Sequence, residues 1–174
     1  DEPGVRHLIP RVTRRLITFG TSPDADVSIV ENTTENLGSA FTLRFEGGMT
    51  QRITLGVPGI HNVFNATAAF AATRDMGVEP AAIAEALADF QGVGRRFQIK
   101  SRHVITVIDD YAHHPTEIRA TLKAACTGSF RRIFAVFQPH RYTRTSHFMD
   151  DFARAFELAD AALLLDIYPA GETP

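Results

Sequence analysis

The segment DDYAHHPTEI, which runs from Asp109 to Ile118, holds the densest group of side chains that can do chemistry. Two carboxylates, a tyrosine and two histidines fall within its first six residues. Histidine and aspartate can bind zinc, but these two histidines are adjacent, and no cysteine or third histidine is close in sequence. The residue types therefore favour a site for a substrate or a nucleotide phosphate over a structural zinc site.

Part of this segment also has a structural explanation, because it is typical of a helix start. His114 stands near the N-cap, Pro115 suits the first helical position, and Glu117 is favourable beside the helix dipole. Helix initiation does not explain the polar side chains that precede the helix, namely Asp110, Tyr111 and His113.

A second candidate is the segment QPHRYTRT, in which Arg141 and Arg144 are three residues apart. Arginine presents a planar fork of N–H groups that matches the oxygens of a carboxylate or phosphate two at a time. The segment lies at a predicted turn from strand to helix, where the helix N-terminus adds partial positive charge. The pattern indicates an anion site, with a solvated basic loop as the alternative.

The other candidate residues carry weaker signals. Asn62 is predicted at a helix start, where an asparagine can serve simply as a cap. Arg95 and Arg96 lie in a glycine-rich segment, where the alternative is an exposed charge on a linker. The sequence contains neither a Walker phosphate loop nor a G-x-G-x-x-G fingerprint. Three isolated histidines are interpreted as surface or structural residues: His7, His103 and His147.

The elements that carry these residues change in type along the chain. Runs of β-branched and aromatic residues predict strands up to about Val57, with a hairpin at Gly47 and Gly48. The apolar spacing then predicts helices over residues 61–77 and 79–90, followed by a basic, glycine-rich linker.

From Arg96 onward, strands and helices alternate in the order β-α-β-α-β. This alternation predicts an α/β fold with a mainly parallel sheet, whose ligand sites form beyond the carboxyl ends of the strands. Because the polar clusters follow strand ends, we expect them at one edge of the sheet. The predicted strands cover residues 104–110, 132–139 and 162–169, and the predicted helices cover 115–126 and 146–160.

Within the second of these helices, a stripe of phenylalanines at four-residue spacing is predicted to lie in the core and not to form a cofactor site. The stripe consists of Phe148, Phe152 and Phe156.

The composition of the 174 residues, 44% hydrophobic and 22% charged, is that of a soluble globular protein. A formal net charge of −2 gives no bulk attraction to nucleic acid or an anionic membrane. The single cysteine, Cys126, excludes an internal disulfide. With no bilayer-spanning apolar run and no signal peptide, we expect a cytoplasmic protein without a membrane or nucleic-acid partner. The missing initiator methionine and the end just after a strand indicate part of a longer protein.

In order along the chain, these segments resemble the Mur ligases of bacteria. The resemblance covers nearly the whole chain and is most specific from Gly59 onward. It implies the last part of a central ATPase domain over residues 1–95, and most of a Rossmann-like C-terminal domain over residues 96–174. The segments that carry it are GIHNVFNATAA, FQGVGRRFQ, DDYAHHPTEI, VFQPHRYTRT and DIYPAGE.

The resemblance implies ATP-dependent amide formation in peptidoglycan precursor synthesis. ATP phosphorylates the carboxylate of UDP-N-acetylmuramate, and the amine of L-alanine attacks the acyl phosphate. The implied cofactors are ATP and Mg²⁺, and the implied partners are small-molecule substrates. The UDP-sugar domain, the phosphate loop and the main Mg²⁺ ligands of the family are not in this sequence, so we expect no turnover by this chain alone.

The resemblance also implies roles for individual residues, with no metal ligand among them. Asp110 and His113 match catalytic positions. His61 and His140 are expected as neighbours that position these groups. The implied ATP contacts are Asn62, Arg96 and Asp110, and the implied L-alanine contacts are Tyr111, His113, Arg141 and Arg144.

Two other functions stay open. One is a ligase of the same family that reattaches recycled peptides to the UDP-sugar, although the paired arginines suit the carboxylate of a free amino acid. The other is a non-catalytic module that binds a nucleotide or an anion.

Overall fold

The computed structural model describes residues 3–173. The chain forms two compact units, one up to Gln91 and one from Gly92 onward. Each unit has its own cluster of buried apolar side chains. No helix within the described residues has the length and apolar character needed to cross a membrane.

The first unit contains a four-stranded sheet and three helices. β1 and β2 are parallel, whereas β2, β3 and β4 are antiparallel neighbours. A 3-10 turn at Glu46–Gly48 joins β3 to β4, and Gly47 and Gly48 adopt φ angles of 68° and 78° that glycine tolerates without strain. The predicted hairpin is confirmed. The elements are α1 (Pro3–Arg6), β1 (Phe19–Gly20), β2 (Val27–Glu35), β3 (Gly38–Arg44), β4 (Thr50–Leu55), α2 (Ile60–Asp75) and α3 (Pro80–Ala88).

The two predicted helices of this unit are confirmed as α2 and α3. Pro80 occupies the first turn of α3, where its missing N–H group costs nothing. Phe70 of α2 is fully buried and packs on Phe45 with ring centroids 5.2 Å apart. The helices thus cover one face of the sheet with a continuous apolar core.

The second unit alternates strands and helices, which confirms the α/β class. β7 and β8 are parallel, as predicted, and a bridge between His140 and Tyr168 extends their pairing. The elements are β5 (Gln98–Arg102), β6 (Thr106–Asp109), α4 (Pro115–Ala125), β7 (Phe134–Phe137), α5 (Tyr142–His147), α6 (Met149–Ala155) and β8 (Ala161–Leu164).

Three details of this unit differ from the sequence predictions. β6 pairs antiparallel with β5, a strand that was not predicted, and these two strands form a sheet separate from β7 and β8, so the three predicted strands do not share one parallel sheet. β6 begins at Thr106 and not at Val104. The helix predicted over residues 146–160 is broken at Phe148, whose φ of −110° and ψ of 25° separate α5 from α6. The predicted phenylalanine stripe nevertheless lies in the core, where Phe152 is buried and Phe148 and Phe156 are partly buried.

One face of the β7–β8 ladder is apolar and exposed. Val136 and Leu163 are register partners and are 67% and 61% exposed, and Phe134 lies on the same face. The opposite face, which carries Ala135 and Phe137, packs against the cluster that includes Ile118 and Phe152. Burial is therefore one-sided on β7, whereas every residue of β8 is exposed.

Candidate functional site

The connection between β6 and α4 carries the acids and histidines of the segment DDYAHHPTEI. α4 begins at Pro115 with a capping box. His114 Nδ1 accepts a hydrogen bond from the Thr116 N–H group at 3.3 Å, and Glu117 Oε2 accepts one from the His114 N–H group at 3.1 Å. These bonds satisfy N–H groups that the first turn of a helix leaves unpaired. The predicted helix start is confirmed.

Glu117 also holds the histidine that precedes the helix. Its Oε2 accepts a hydrogen bond from the His113 N–H group at 3.0 Å, and its Oε1 lies 3.8 Å from Arg96 Nη1. Partial burial acts to raise the pKa of Glu117, but the hydrogen bond and charge of His113, the hydrogen bond from His114 and the charge of Arg96 outweigh it. The pKa of Glu117 therefore lies below its ordinary value.

Asp110 links the loop after β6 to the segment before β5. Its Oδ2 accepts a hydrogen bond from the Phe97 N–H group at 2.8 Å, and its Oδ1 accepts one from the Ala112 N–H group at 2.7 Å. The Tyr111 N–H group donates to the Arg95 carbonyl at 2.7 Å in the same region. Both oxygens of Asp110 are thus engaged with backbone N–H groups, and this carboxylate fixes the course of the chain.

The ring of His113 has a defined orientation. Its Nδ1 lies 2.9 Å from the Tyr111 carbonyl oxygen. Because a carbonyl oxygen only accepts hydrogen bonds, this contact places the ring proton on Nδ1 and makes Nε2 the acceptor nitrogen of the neutral ring. His113 can therefore present a basic nitrogen to a bound molecule.

The ring of Tyr111 contacts two arginines and a histidine. The guanidinium carbons of Arg95 and Arg96 lie 4.8 Å and 5.8 Å from the centroid of its ring, within the range of a cation–π interaction. The ring of His113 meets Tyr111 edge-on at 5.0 Å. Positive charge is thus concentrated beside the loop.

The two predicted arginines lie at the start of α5, with Arg141 at its N-cap position and Arg144 in its first turn. The Arg141 N–H group donates to the Tyr168 carbonyl at 2.9 Å, and the Tyr168 N–H group donates to the Pro139 carbonyl at 2.8 Å. The rings of His140 and Tyr168 stack with centroids 5.5 Å apart. Arg141 has a φ of 75° and a ψ of 136°, a strained conformation for a residue with a side chain. The segment after β8 therefore holds this turn in place.

Glu172 completes the turn. Its Oε1 accepts a hydrogen bond from Thr143 Oγ1 at 2.7 Å, and its Oε2 accepts one from the Thr143 N–H group at 3.0 Å. Arg141 Nη1 lies 3.6 Å from Oε1. The hydrogen bonds from the side chain and backbone of Thr143 lower the pKa of Glu172 below its ordinary value. The carboxylate is therefore ionised near neutral pH.

The loop before α4 and the start of α5 border one open pocket of about 540 Å³. It brings together all four residues expected to contact L-alanine and adds His140, whose ring lies 6.3 Å from that of His113. His140 Nδ1 is buried and has no hydrogen-bond partner within the described part of the chain. The pocket is lined by Tyr111, His113, His140, Arg141, Thr143, Arg144, His147 and Phe148.

The other predicted residues lie outside this pocket. Asp110 and Arg96 stand in the same unit, at the base of the β6–α4 loop. Asn62 belongs to the first unit, where its Nδ2 donates to the Pro58 carbonyl at 2.7 Å and Gly59 occupies the N-cap of α2. No group of three metal-binding side chains occurs among residues 3–173.

Sequence reasoning missed two residues of this region. The sequence predicts His147 as an isolated surface residue, but it lines the pocket one turn beyond Arg144, a spacing of three that places both on one helix face. The segment DIYPAGE contains Glu172, to which the sequence assigns no role. Glu172 follows β8, at the same edge of the sheet as the arginines, and this position is the sequence signal that could have indicated a role in the site.

Known proteins match the chain over most of its length. Residues 95–174 match the family described as Mur ligase, glutamate ligase domain. The chain is 49% identical, over its full length, to the UDP-N-acetylmuramate–L-alanine ligase of Solibacter usitatus, and it spans 37% of that protein.

Solved structures give the same relationship. The UDP-N-acetylmuramate–alanine ligase of Thermotoga maritima superimposes with a TM-score of 0.78 at 35% identity, covering 87% of this chain and 34% of that one. A murein peptide ligase from Psychrobacter arcticus has a TM-score of 0.57 at 31% identity, covering 84% and 31%. With the profile match, the full-length sequence identity and the shared fold in agreement, this chain belongs to the Mur ligase family.

Proposed function

We propose that this chain is part of an ATP-dependent ligase that joins L-alanine to UDP-N-acetylmuramate. The observation that carries the proposal is the pocket in which Tyr111 and His113, from the loop before α4, meet Arg141 and Arg144, from the start of α5. The similarity to L-alanine ligases from two bacteria supports the same substrate. Because the chain spans 37% of the first of these relatives, the activity belongs to the longer protein.

The arginines bind the carboxylate of the amino acid. A free amino acid is a zwitterion, and a guanidinium fork holds a carboxylate through two parallel hydrogen bonds. Arg144 Nη1 has a single weak contact, to the His140 carbonyl at 3.5 Å, which leaves most of its donors available. This anchor fixes the amine of the substrate relative to His113.

His113 acts on the amine. L-Alanine must lose a proton from its ammonium group before the nitrogen can attack an acyl phosphate, and a neutral imidazole is a suitable acceptor. Nε2 is the acceptor nitrogen of the ring because Nδ1 is turned toward the Tyr111 carbonyl. Glu117, whose Oε2 lies 3.5 Å from Nδ1, stabilises the protonated ring that results.

The nucleotide contacts are proposed on the resemblance to the family. Asn62 and Arg96 would bind ATP, and Asp110 would act close to it by fixing the loop that carries Tyr111 and His113. On the same resemblance, we assign the Mg²⁺ that accompanies ATP to residues of the longer protein. The charge that phosphoryl transfer requires must then come largely from outside this chain.

A peptide-recycling ligase is the second candidate, since the murein peptide ligase shares 31% identity. The closer superposition of the L-alanine ligase, at 35% identity, favours the free amino acid. The presence of two guanidinium groups in a pocket open to solvent agrees with a substrate that carries its own carboxylate. A tripeptide beginning with L-alanine would place its carboxylate several bonds further from the reacting amine.

The test uses the full-length protein and the 174-residue chain in parallel. With ATP, Mg²⁺ and UDP-N-acetylmuramate, the full-length protein is expected to release phosphate only when L-alanine is added. The isolated chain is expected to release none. Faster turnover with a tripeptide than with L-alanine would favour the recycling function. Nucleotide binding without turnover by the full-length protein would favour a non-catalytic module.

A further inference from the structure

The start of α5 lacks a cap from its own sequence. Arg141 at the N-cap position makes no side-chain hydrogen bond to the first turn, and its φ of 75° is unusual for a residue with a side chain. The first N–H groups of a helix need acceptors, and α5 is only six residues long. These acceptors must then come from water or from another part of the chain.

Glu172 supplies such an acceptor from 29 residues away. It accepts hydrogen bonds from both the N–H and the hydroxyl group of Thr143, and its side chain is 19% exposed. These are the contacts of an N-cap carboxylate, made by a residue that follows β8. The helix that carries Arg144 is thus fastened to the loop after β8.

Glu172 also gives the two arginines different electrostatic surroundings. Arg141 Nη1 lies 3.6 Å from the carboxylate, whereas Arg144 has no carboxylate within 4.0 Å among the described residues. Glu172 therefore offsets part of the positive charge of Arg141, whose side chain is 49% exposed. Arg144 keeps its full charge toward the pocket, where it faces His140 and His147.

We propose that Glu172 is a positioning residue for amino-acid binding: it caps α5, pairs with Arg141 and leaves Arg144 as the main guanidinium for the substrate carboxylate. The inference rests on the proposed function only for the identity of the substrate. Glu172 lies outside the lining of the pocket and does not touch the substrate in this arrangement.

The test compares Glu172→Ala, Glu172→Gln and the wild type in the full-length ligase. Loss of a cap shifts an equilibrium by about fivefold to tenfold, so Glu172→Ala is expected to raise the KM for L-alanine by about that factor. The KM for ATP is expected to stay within about twofold, because the contacts of Glu172 are confined to the arginine turn. The KM for L-alanine of Glu172→Gln is expected to lie between those of the wild type and Glu172→Ala. The amide oxygen of glutamine can still accept a hydrogen bond from the Thr143 N–H group.

Glu157→Ala is the matched control, because Glu157 is an exposed acid of the same unit without a hydrogen bond or ion pair in the described structure. Hydrogen exchange of the peptide that spans α5 gives a second readout, which needs no catalysis. Exchange is expected to accelerate in Glu172→Ala and to be unchanged in Glu157→Ala.

Each outcome decides between the two proposals. A wild-type protein that does not use L-alanine contradicts the proposed function, and the exchange of α5 then still tests the cap. An active wild type in which Glu172→Ala leaves the KM for L-alanine unchanged overturns the inference. Equal rises in both KM values, with no partial rescue by glutamine, reduce Glu172 to a structural role and overturn it as well.

Discussion

The pocket side chains lie close in sequence to backbone segments that other residues hold in place. His113 is oriented by the Tyr111 carbonyl and by Glu117, both within four residues of it. Arg144 lies on the first turns of α5, directly after the turn that Tyr168 and Glu172 hold. Short connections of this kind limit the motion of the side chains that we propose contact the substrate.

Arg144 provides the sharpest prediction at this scale. In the full-length ligase, Arg144→Ala is expected to lower kcat/KM for L-alanine, with a loss of about 2–5 kcal/mol in binding free energy, because the substrate carboxylate loses a charged partner. The effect should appear in steady-state kinetics as a raised KM for L-alanine, with a much smaller change for ATP. Arg154→Ala, an exposed arginine of α6, is the control. A loss confined to ATP would show that the role assigned to Arg144 is wrong.

Local signals made some elements predictable. The start of α4 could be predicted because the capping residues, the proline and the acid lie within four consecutive positions. The β3–β4 hairpin was visible for the same reason, in its two glycines. In the site, the arginine pair and the residues before α4 were identifiable because they follow strand ends.

Other features were hidden because they depend on distant partners. β5 has the sequence QIKSR, whose polar residues resemble a linker, and its pairing with β6 becomes evident only in three dimensions. The break at Phe148 was masked by an unbroken phenylalanine spacing across two helices. Glu172 caps a helix that begins 30 positions earlier, which no local pattern reveals.

The junction of β1 and β2 is expected to respond to pH. Asp26 Oδ2 accepts hydrogen bonds from the N–H and hydroxyl groups of Thr18, each at 2.7 Å, and these bonds lower the pKa of Asp26 below its ordinary value of 3.8. A lowered pKa in the folded state means that the ionised carboxylate stabilises the fold above that ordinary value. The contribution is lost as the pH falls through the folded pKa.

Asp26→Asn should therefore lower the Tm near neutral pH, and the difference from the wild type should shrink below about pH 4. Thermal unfolding between pH 3 and pH 7 measures it. Asp24→Asn is a suitable control, because the Asp24 side chain makes no hydrogen bond or ion pair among the described residues. A difference that grows on acidification would contradict the assignment.

At the scale of the whole molecule, the exposed face of β7 and β8 is an apolar surface without a partner among the described residues. Large apolar side chains at Phe134, Val136 and Leu163 form a contiguous patch on two paired strands. Patches of this kind on soluble proteins mark surfaces that contact other protein. The chain spans 37% of the length of the Solibacter usitatus relative. In that protein, the segment that corresponds to this face is part of a longer sequence.

On its own, the 174-residue chain is expected to self-associate through this face. Sedimentation velocity should show a weight-average mass that rises with concentration, and Val136→Lys should reduce the rise by placing a charge in the patch. Met76→Lys is the control, because Met76 is an apolar residue that is even more exposed than Val136 and lies in the first unit. Identical behaviour of the two variants would exclude the β7–β8 face as the contact.

The unusual backbone conformation of Arg141 affects how the thermal stability of this protein can be increased. Glycine would adopt its φ of 75° freely, whereas a residue with a Cβ atom is strained there by about 1–3 kcal/mol. A screen that rewards thermal resistance alone would consequently enrich glycine at this codon and discard a guanidinium from the pocket. At position 141, a residue that favours thermal stability and a residue that gives the pocket its guanidinium cannot both be present.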